Sequence, residues 1–297
     1  MWHAVLALVL LAITTACPGR PGTVRRGHAP PPPGPCTDVP SCLHQGEEHE
    51  EAGDVAGAAR FWDHGCDRLA DPASCLLVGR LRRDHGPTDA DRVQAGARFR
   101  RACDLGGADG CSEAGLRVIE AAQGQAGPLA SGVALLRRAC DGGSGLGCHN
   151  LAVLHLEGTG VPADPARAAA LFERGCARGH ASACLELGRR KLLADGLPED
   201  RPGAVAALHT ACTLAARTCD GLATAYEYGL GVTEDAARAR RLYDRACGTG
   251  RPEACLALGD MLGEGRGGPA DAVRAKALYE GACAAGVDEA CDMLRAR

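Results

Sequence analysis

Apolar residues recur along this chain with the spacing expected of paired amphipathic helices. Within residues 148–176, the apolar positions on helical spacing are Leu151, Ala152, Leu154, Ala168, Leu171 and Phe172. Between the two groups, Gly158 is placed to end a first helix, Asp164 to cap a second, and Pro165 to stand in the first turn of the second. The segment therefore predicts two helices joined by a glycine-containing turn, the second running to about Cys176.

The same pattern returns at a fixed period that is marked by cysteines. Fourteen of the 17 cysteines form seven pairs whose members lie seven to nine residues apart, and the first member advances by 35 to 37 residues from pair to pair. Cys36 and Cys42 make a shorter eighth pair. A period of this size is typical of a solenoid of helical hairpins. The sequence therefore predicts an all-α solenoid domain over residues 36–297, with about seven repeats and a terminal half-repeat.

Two positions in each repeat predict how its helices pack. Four residues before the first cysteine of the seven pairs stand Trp62, Phe99, Leu136, Phe172, Leu208, Tyr243 and Tyr279. Eight residues before it stand Ala58, Ala95, Gly132, Ala168, Ala204, Ala239 and Ala275. Small residues let neighbouring helices approach and bulky residues fill the space between them, so we interpret both rows as core rather than as a cofactor site.

The cysteine pairs are predicted to be disulfides. A spacing of about eight residues would join the last turn of one helix to the first turn of the next. Structural zinc sites, the alternative, favour close Cys-x2-4-Cys knuckles, and the sequence contains none. The predicted bridges are Cys36–Cys42, Cys66–Cys75, Cys103–Cys111, Cys140–Cys148, Cys176–Cys184, Cys212–Cys219, Cys247–Cys255 and Cys283–Cys291.

The start of the chain predicts export. Residues 1–16 contain no Lys, Arg, Asp or Glu, and their apolar run at 4–13 is typical of a signal-peptide core. Small residues and then Cys17 follow, which resembles a bacterial lipoprotein signal and implies lipidation of Cys17, although Thr14 stands where that signal prefers Leu or Val. The alternative is an ordinary secretory signal with an incidental cysteine. Both predict a periplasmic, outer-membrane lipoprotein or secreted location, where disulfides persist.

Residues 17–35 predict a linker without a core. The segment is dominated by proline and glycine and has little apolar bulk. Its proline-rich part is expected to be extended, at about 3.1 Å per residue, and would hold the solenoid away from an N-terminal lipid. A disordered leader with no spacing role is the alternative.

Charge and motif content narrow the function classes. The net charge is −4 and no basic stripe occurs, so a nucleic-acid partner is not predicted. The two lysines, Lys191 and Lys276, do not stand three residues after a serine, as the Ser-x-x-Lys motif of serine β-lactamases requires. His44, His49 and His64 lie close in sequence, but we interpret them as solvated surface histidines. Neither a metal site nor a cofactor is predicted.

Specific motifs give the chain a family resemblance. Leu-Gly or Leu-Ala pairs follow the second cysteines, Gly158–Val161 and Tyr228–Val232 form glycine turns, and Ala-x-x-Leu-Tyr/Phe recurs in the second helices. These motifs resemble the Sel1-like repeat, and the paired cysteines are similar to its cysteine-rich Helicobacter-type branch. The match is weak at 80–128, where other residues replace the glycine turn. The resemblance implies a right-handed superhelix of αα hairpins that binds proteins or peptides; some members of the branch are described as penicillin-binding proteins or β-lactamases.

The resulting prediction is a non-catalytic exported scaffold that binds a protein or peptide, and contacts a membrane only through an N-terminal lipid. The predicted groove residues, all polar positions on first helices, are His149, Asn150, Glu186, Arg189, Asp220, Thr224 and Asp260. A β-lactam-binding protein or β-lactamase-like hydrolase is the alternative function, and a purely structural spacer at the cell surface is a third. For each groove residue, a plain solvated position is the alternative interpretation.

Overall fold

Every regular element that the computed structural model describes is helical. The described residues are 36–86 and 88–295, and within them lie fifteen α-helices, a 3-10 turn at 216–218 and no strand. The helices are α1 (Val39–Glu51), α2 (Val55–Arg68), α3 (Pro72–His85), α4 (Asp89–Asp104), α5 (Ala108–Ala121), α6 (Ala126–Asp141), α7 (Gly145–Glu157), α8 (Pro165–Ala177), α9 (Ala181–Leu193), α10 (Arg201–Leu214), α11 (Cys219–Glu227), α12 (Ala236–Cys247), α13 (Pro252–Glu264), α14 (Ala272–Ala284) and α15 (Asp288–Arg295).

The helices pack as seven consecutive hairpins, from α1 with α2 to α13 with α14, followed by α15. The predicted all-α solenoid is therefore confirmed. The predicted signal peptide at 1–16, the linker at 17–35 and the lipidation site Cys17 lie outside the described residues. Among the helices of the described part, none combines the length and the apolar character needed to cross a membrane.

Capping residues in the sequence explain where most second helices begin. The Asp164 carboxylate accepts a hydrogen bond from the backbone N–H of Arg167 at 2.9 Å, and Pro165 stands in the first turn of α8. The corresponding capping residues of α2, α10, α12 and α14 are Asp54, Asp200, Asp235 and Asp271. Each cap satisfies an N–H that the helix leaves free and contributes about 1 kcal/mol. The start predicted at Asp164 is confirmed.

The connections inside the hairpins fall into two classes. In the first three hairpins, three or four residues join the two helices, at 52–54, 86–88 and 122–125. In the next four, seven or eight residues do so, at 158–164, 194–200, 228–235 and 265–271. The predicted helix end at Gly158 is confirmed, because this residue has a φ of 72° and its N–H bonds to the carbonyl oxygen of Leu154. Glycine adopts this left-handed conformation without steric cost.

The long connections turn back onto the preceding hairpin. A Cβ built on Gly160 would lie 3.2 Å from both Leu129 and Val133 of α6. At Gly267, where φ is 71°, a Cβ would overlap the carbonyl oxygen of Ala236 in α12. The equivalent glycines of the other two long connections are Gly196 and Gly231. Glycine at this position therefore lets each long connection cover the first turns of the preceding second helix.

The two predicted core rows are buried. All seven bulky residues are at most 4% exposed, and the six alanines of the small row are at most 1% exposed. In several hairpins a glycine of the first helix faces the bulky residue of the second. A Cβ on Gly259 would lie 2.6 Å from Cε1 of Tyr279, and one on Gly188 would lie 2.6 Å from Cγ of Leu208. The Leu-Gly pair of the sequence thus makes room for a buried side chain that contributes roughly 1.5–3 kcal/mol.

Eight disulfides join the same cysteine pairs that the spacing indicates. Seven of them connect the end of a second helix to the start of the next hairpin, as in Cys176–Cys184, whose Cα atoms lie 4.5 Å apart. Most of the bridging cysteines are buried, whereas both members of Cys247–Cys255 and of Cys283–Cys291 are half-buried. Each bridge fixes one hairpin against the next.

The first helices of successive hairpins also contact one another directly, from α1 with α3 to α9 with α11. Among the described residues, the second helices make no comparable contacts with each other. We infer that the first helices line the inner side of the solenoid, because the more closely packed row lies on the inside wherever a stack of hairpins curves.

Candidate binding surface on the first helices

The seven predicted groove residues lie on four consecutive first helices. They are His149 and Asn150 on α7, Glu186 and Arg189 on α9, Asp220 and Thr224 on α11, and Asp260 on α13. Six are half-buried and Asp220 is buried. We call the surface formed by these residues, together with Arg80 on α3 and Glu113 on α5, the inner face.

At α7, the inner face is tied to the preceding hairpin by polar contacts. The Asn150 side-chain amide donates to the Ser112 hydroxyl of α5 at 3.3 Å. The Ser144 hydroxyl, just before α7, donates to the Asp109 carboxylate of α5 at 2.5 Å. Asn150 therefore holds two repeats in register as well as lining the surface.

Asp220 is the centre of an ion-pair bridge across three first helices. Its Oδ2 lies 3.2 Å from Arg189 Nη2 of α9 and 3.3 Å from Arg251 Nη2, just before α13. The Asp220 side chain is 9% exposed, and its Oδ1 is buried without a hydrogen-bond partner among the described residues. Two arginines thus offset the cost of burying this carboxylate.

A second buried carboxylate, Glu227, lies at the end of α11. It accepts a hydrogen bond from the Tyr243 hydroxyl at 2.7 Å and forms an ion pair with Arg266. Thr224 Oγ1 lies 2.9 Å from the same tyrosine hydroxyl. Burial, aided by the hydrogen bond to Glu227, raises the pKa of Tyr243 well above its usual value. Thr224 therefore belongs to a packed hydrogen-bond network, and its half-buried side chain is only partly accessible to a ligand.

Asp260 on α13 is the last polar residue of the inner face. It accepts a hydrogen bond from the Tyr279 hydroxyl at 2.8 Å. Burial raises the pKa of the Asp260 carboxyl, and the hydrogen bond from Tyr279 opposes that effect. The buried tyrosine row thus reaches the inner face through its hydroxyl groups.

His149 lies in a small aromatic group. Its ring centroid is 5.5 Å from that of Phe172 and 4.9 Å from that of His180, which caps α9. The guanidinium group of Arg190 lies over the Phe172 ring, 5.5 Å from its centroid. Burial, and then the neighbouring His180, lower the pKa of His149 to about 4, so its imidazole is neutral at physiological pH.

The inner face is therefore a row of polar groups, most of which also join neighbouring repeats. The Arg189 and Arg80 side chains are 42% and 38% exposed, and Glu186, at 27%, lies 3.5 Å from Arg189. Such a row can accept and donate hydrogen bonds along an extended chain, with one acidic and one basic group at its middle.

Sequence reasoning missed two members of the inner face, Arg80 and Glu113. Glu113 of α5, 6% exposed, accepts from Arg80 Nε at 3.3 Å and from Arg83 Nη1 at 2.9 Å, both on α3. Its position, two residues after the second cysteine, is that of Asn150 and Glu186 in later repeats. Extending the repeat alignment toward the N-terminus would have found it.

Residues considered for catalysis or metal binding have other partners. Lys191 pairs with Asp200 at 2.9 Å, and Lys276 with Glu280 at 3.8 Å. His49 pairs with Asp54 at 2.8 Å. In the part of the chain that the structure describes, no three or more His, Cys, Asp or Glu side chains are grouped to hold a metal ion.

These features define a disulfide-bonded αα-hairpin solenoid with a polar inner face. The family model of the Sel1 repeat matches residues 145–180, 217–248 and 252–287. Sel1 repeats are therefore present over these residues, as the motifs predicted. The match assigns a repeat module and no catalytic activity. No curated protein sequence matches the chain.

Two of the similar solved structures, from Escherichia coli and Oxalobacter formigenes, support the fold. A protective antigen of uropathogenic Escherichia coli, with a Sel1-like repeat fold, is 25% identical with a TM-score of 0.59, over 85% of this chain and 50% of that one. A Sel1 repeat protein from Oxalobacter formigenes is 21% identical with a TM-score of 0.61, over 87% and 75%. Cysteine-rich protein B of Helicobacter pylori is 27% identical over 44% of this chain and 96% of that one, with a TM-score of 0.37. The chain spans about half the length of the E. coli antigen.

Proposed function

We propose that the protein is an exported scaffold whose inner face binds a protein or peptide. The observation that carries this proposal is the continuous row of first helices, on which half-buried polar groups from four consecutive repeats follow one another. An extended chain laid across them would meet Asn150, Glu186, Arg189 and Thr224 in turn. Repeat solenoids usually work through such extended surfaces.

Site-specific photo-crosslinking tests this proposal. Glu186 on the inner face would be replaced with p-benzoylphenylalanine in the producing cell, and Arg174 on α8, a second helix, would be the matched control. Both side chains are partly exposed, at 27% and 51%. We expect a discrete crosslinked partner from position 186 and none from position 174. Equal labelling from both positions, or none from 186, would contradict the proposal.

Export is supported by the eight disulfides, because such bridges persist in oxidising compartments. We propose that residues 1–16 are removed and that Cys17 is lipidated, with 17–35 as the linker to the solenoid. Intact mass of the mature protein, together with thiol counting, tests removal of residues 1–16, lipidation of Cys17 and oxidation of the other cysteines in one experiment. The expected mass lacks 16 residues, carries a diacylglycerol and shows 16 oxidised cysteines; retention of residues 1–16 would refute processing.

β-Lactam hydrolysis has no contact that favours it, since each lysine pairs with a carboxylate. A chromogenic cephalosporin provides the direct test. Turnover by the oxidised protein, well above that of a reduced sample, would promote this activity over the scaffold.

A further inference from the structure

A groove between α4 and α5 stands apart from the inner face. Its volume is about 490 Å³, and it is lined by both helices. Its lining includes small apolar groups, among them Ala97 on α4 and Ala114 and Val118 on α5, and we call this apolar part the floor. Val93, at one end, is 73% exposed. We call it the α4–α5 groove.

The groove exists because the α5–α6 connection is short. In the next hairpin, the seven-residue connection places Gly160 against Leu129 and Val133 of α6. The position of α4 that corresponds to Val133, seven residues before the first cysteine, is Gly96, and a Cβ built there meets nothing within 4 Å. Thus α4 lacks both the covering turn and the side chain that would fill the space.

The rim of the groove is cationic. Arg100 and Arg101 of α4 and Arg117 of α5 line it. Within the described residues, the guanidinium groups of Arg100 and Arg101 form no hydrogen bond or ion pair, and the Nε of Arg117 is buried without a hydrogen-bond partner, although its Nη1 pairs with Glu120. The one carboxylate among the described lining residues, Asp104, lies 4.0 Å from Arg138, and Arg117 pairs at 3.0 Å with Glu120, which lies outside the lining.

We propose that the α4–α5 groove is a docking site for an extended acidic segment of a partner protein. Charge complementarity selects this occupant: the rim offers unpaired guanidinium groups, and carboxylates are their preferred partners. The chain's own residues 17–35 carry arginines at 20, 25 and 26 and no acidic residue, so the rim would repel them. The floor accepts side chains of about valine size.

The dimensions of the groove suit an extended chain. From Val93 to Asp104, α4 runs for eleven residues, or about 16 Å at 1.5 Å per residue. An extended segment covers this length with about five residues, at about 3.3 Å each. Alternating acidic and small apolar side chains would meet the rim and the floor respectively.

The test is fluorescence polarisation with a labelled peptide, Gly-Asp-Val-Asp-Val-Asp-Gly, and its Asn-for-Asp counterpart, on the oxidised protein. We expect the acidic peptide to bind at least about tenfold more tightly than the neutral one, with affinity falling as salt rises. Equal affinity for both peptides, or no binding of either, would overturn the proposal.

Two variants localise the binding. Gly96→Val fills the groove with the residue that α6 carries at the same position, and Arg100→Gln with Arg101→Gln neutralises the rim. Each should weaken binding at least about tenfold. Gly281→Val is the matched control, because a Cβ on this helical glycine of α14 also meets nothing within 4 Å, and it should leave affinity unchanged. Unchanged helix content by circular dichroism verifies that each variant folds.

Other outcomes also decide the matter. Binding that survives Gly96→Val would place the peptide elsewhere and reject the groove. Binding of phosphatidylglycerol vesicles in place of the peptide, lost in the arginine variant, would assign the groove to an anionic surface and overturn the proposal. The α4–α5 groove shares no residue with the inner face, so its failure leaves the crosslinking result at position 186 unaffected.

Discussion

Two regions of one solenoid, α1–α6 and α7–α14, solve the same packing problem with different connections. Both bury the bulky and small rows, and both carry a disulfide at each junction between hairpins. They differ in the three- or four-residue connections of the first region and the seven- or eight-residue connections of the second. The Sel1 family model matches only within the second region. The comparison shows that two helices can pack into a hairpin core without the glycine turn. Covering the preceding second helix, in contrast, requires the long connection with its glycine turn.

Full reduction should have the largest effect on stability, because it breaks the disulfides that join the hairpins in both regions. Closing a ring of about nine residues contributes about 2.6 kcal/mol per bridge, as an upper figure, and a domain's stability is about 5–15 kcal/mol. We expect loss of helix by far-UV circular dichroism in excess reductant. An unchanged spectrum would show that packing alone holds both regions.

Limiting reductant sharpens this comparison. Cys247–Cys255 and Cys283–Cys291 are half-buried, whereas the bridges of the first region are buried. Because exchange requires access to a sulfur, alkylation and peptide mapping should find these two bridges open first. Earlier opening of Cys66–Cys75 would contradict the expectation; a sample alkylated without reductant is the control.

Removing Asp220, one of two buried carboxylates on α11, should have the next largest effect on stability. Asp220→Ala leaves Arg189 and Arg251 without their shared partner, and we expect a loss of about 2–3 kcal/mol in the free energy of unfolding. Asp141→Ala is the control, since its side chain is 63% exposed and its pair with Arg174 is worth well under about 1 kcal/mol. Urea titration of the oxidised proteins measures both. Equal losses would mean that the bridge does not couple the repeats.

A pair of glycine variants tests the role of the connections directly. Gly267 and Gly124 both have positive φ, 71° and 83°, so alanine costs about 1–2 kcal/mol at either position. At Gly267 the new Cβ would also overlap the Ala236 carbonyl of the preceding hairpin, whereas at Gly124 it meets nothing within 4 Å. We expect Gly267→Ala to be more destabilising by about 1–2 kcal/mol. Similar midpoints in urea would remove the distinction between the two connection classes.

The smallest expected effect is a dependence of the free energy of unfolding on pH, caused by His149 on α7, near the junction of the two regions. The folded-state pKa of His149, about 4, lies below its ordinary value of 6.5, so the unfolded chain takes up the proton more readily. The contribution of neutral, buried His149 to the free energy of unfolding is complete above pH about 6.5. It falls by up to about 1.4 kcal/mol per pH unit as the pH drops toward 4. His149→Gln should flatten the unfolding free energy over that range, whereas His44→Gln, at an exposed site, should not. Parallel curves for wild type and His149→Gln would contradict this.

The sequence predicted the repeat unit well because its signals are local. The cap at Asp164 and the helix end at Gly158 depend on bonds within four residues, and the buried row from Trp62 to Tyr279 follows from helical spacing. The weak motif match at 80–128 also had a structural counterpart, since the connections there are short. The sequence placed all seven predicted groove residues on first helices, but it missed Arg80 and Glu113 of the inner face.

What the chain determined by itself is the ladder of capped helices, core rows and cysteine pairs, because each of these repeats at a fixed distance along the sequence. Only the tertiary structure decided which polar groups meet. Asp220 contacts residues 31 positions away on either side, and the α4–α5 groove arises from a turn that does not reach back to α4. Contacts between repeats depend on how one hairpin is rotated on the next, and that rotation is set by packing across the whole interface rather than by any local signal.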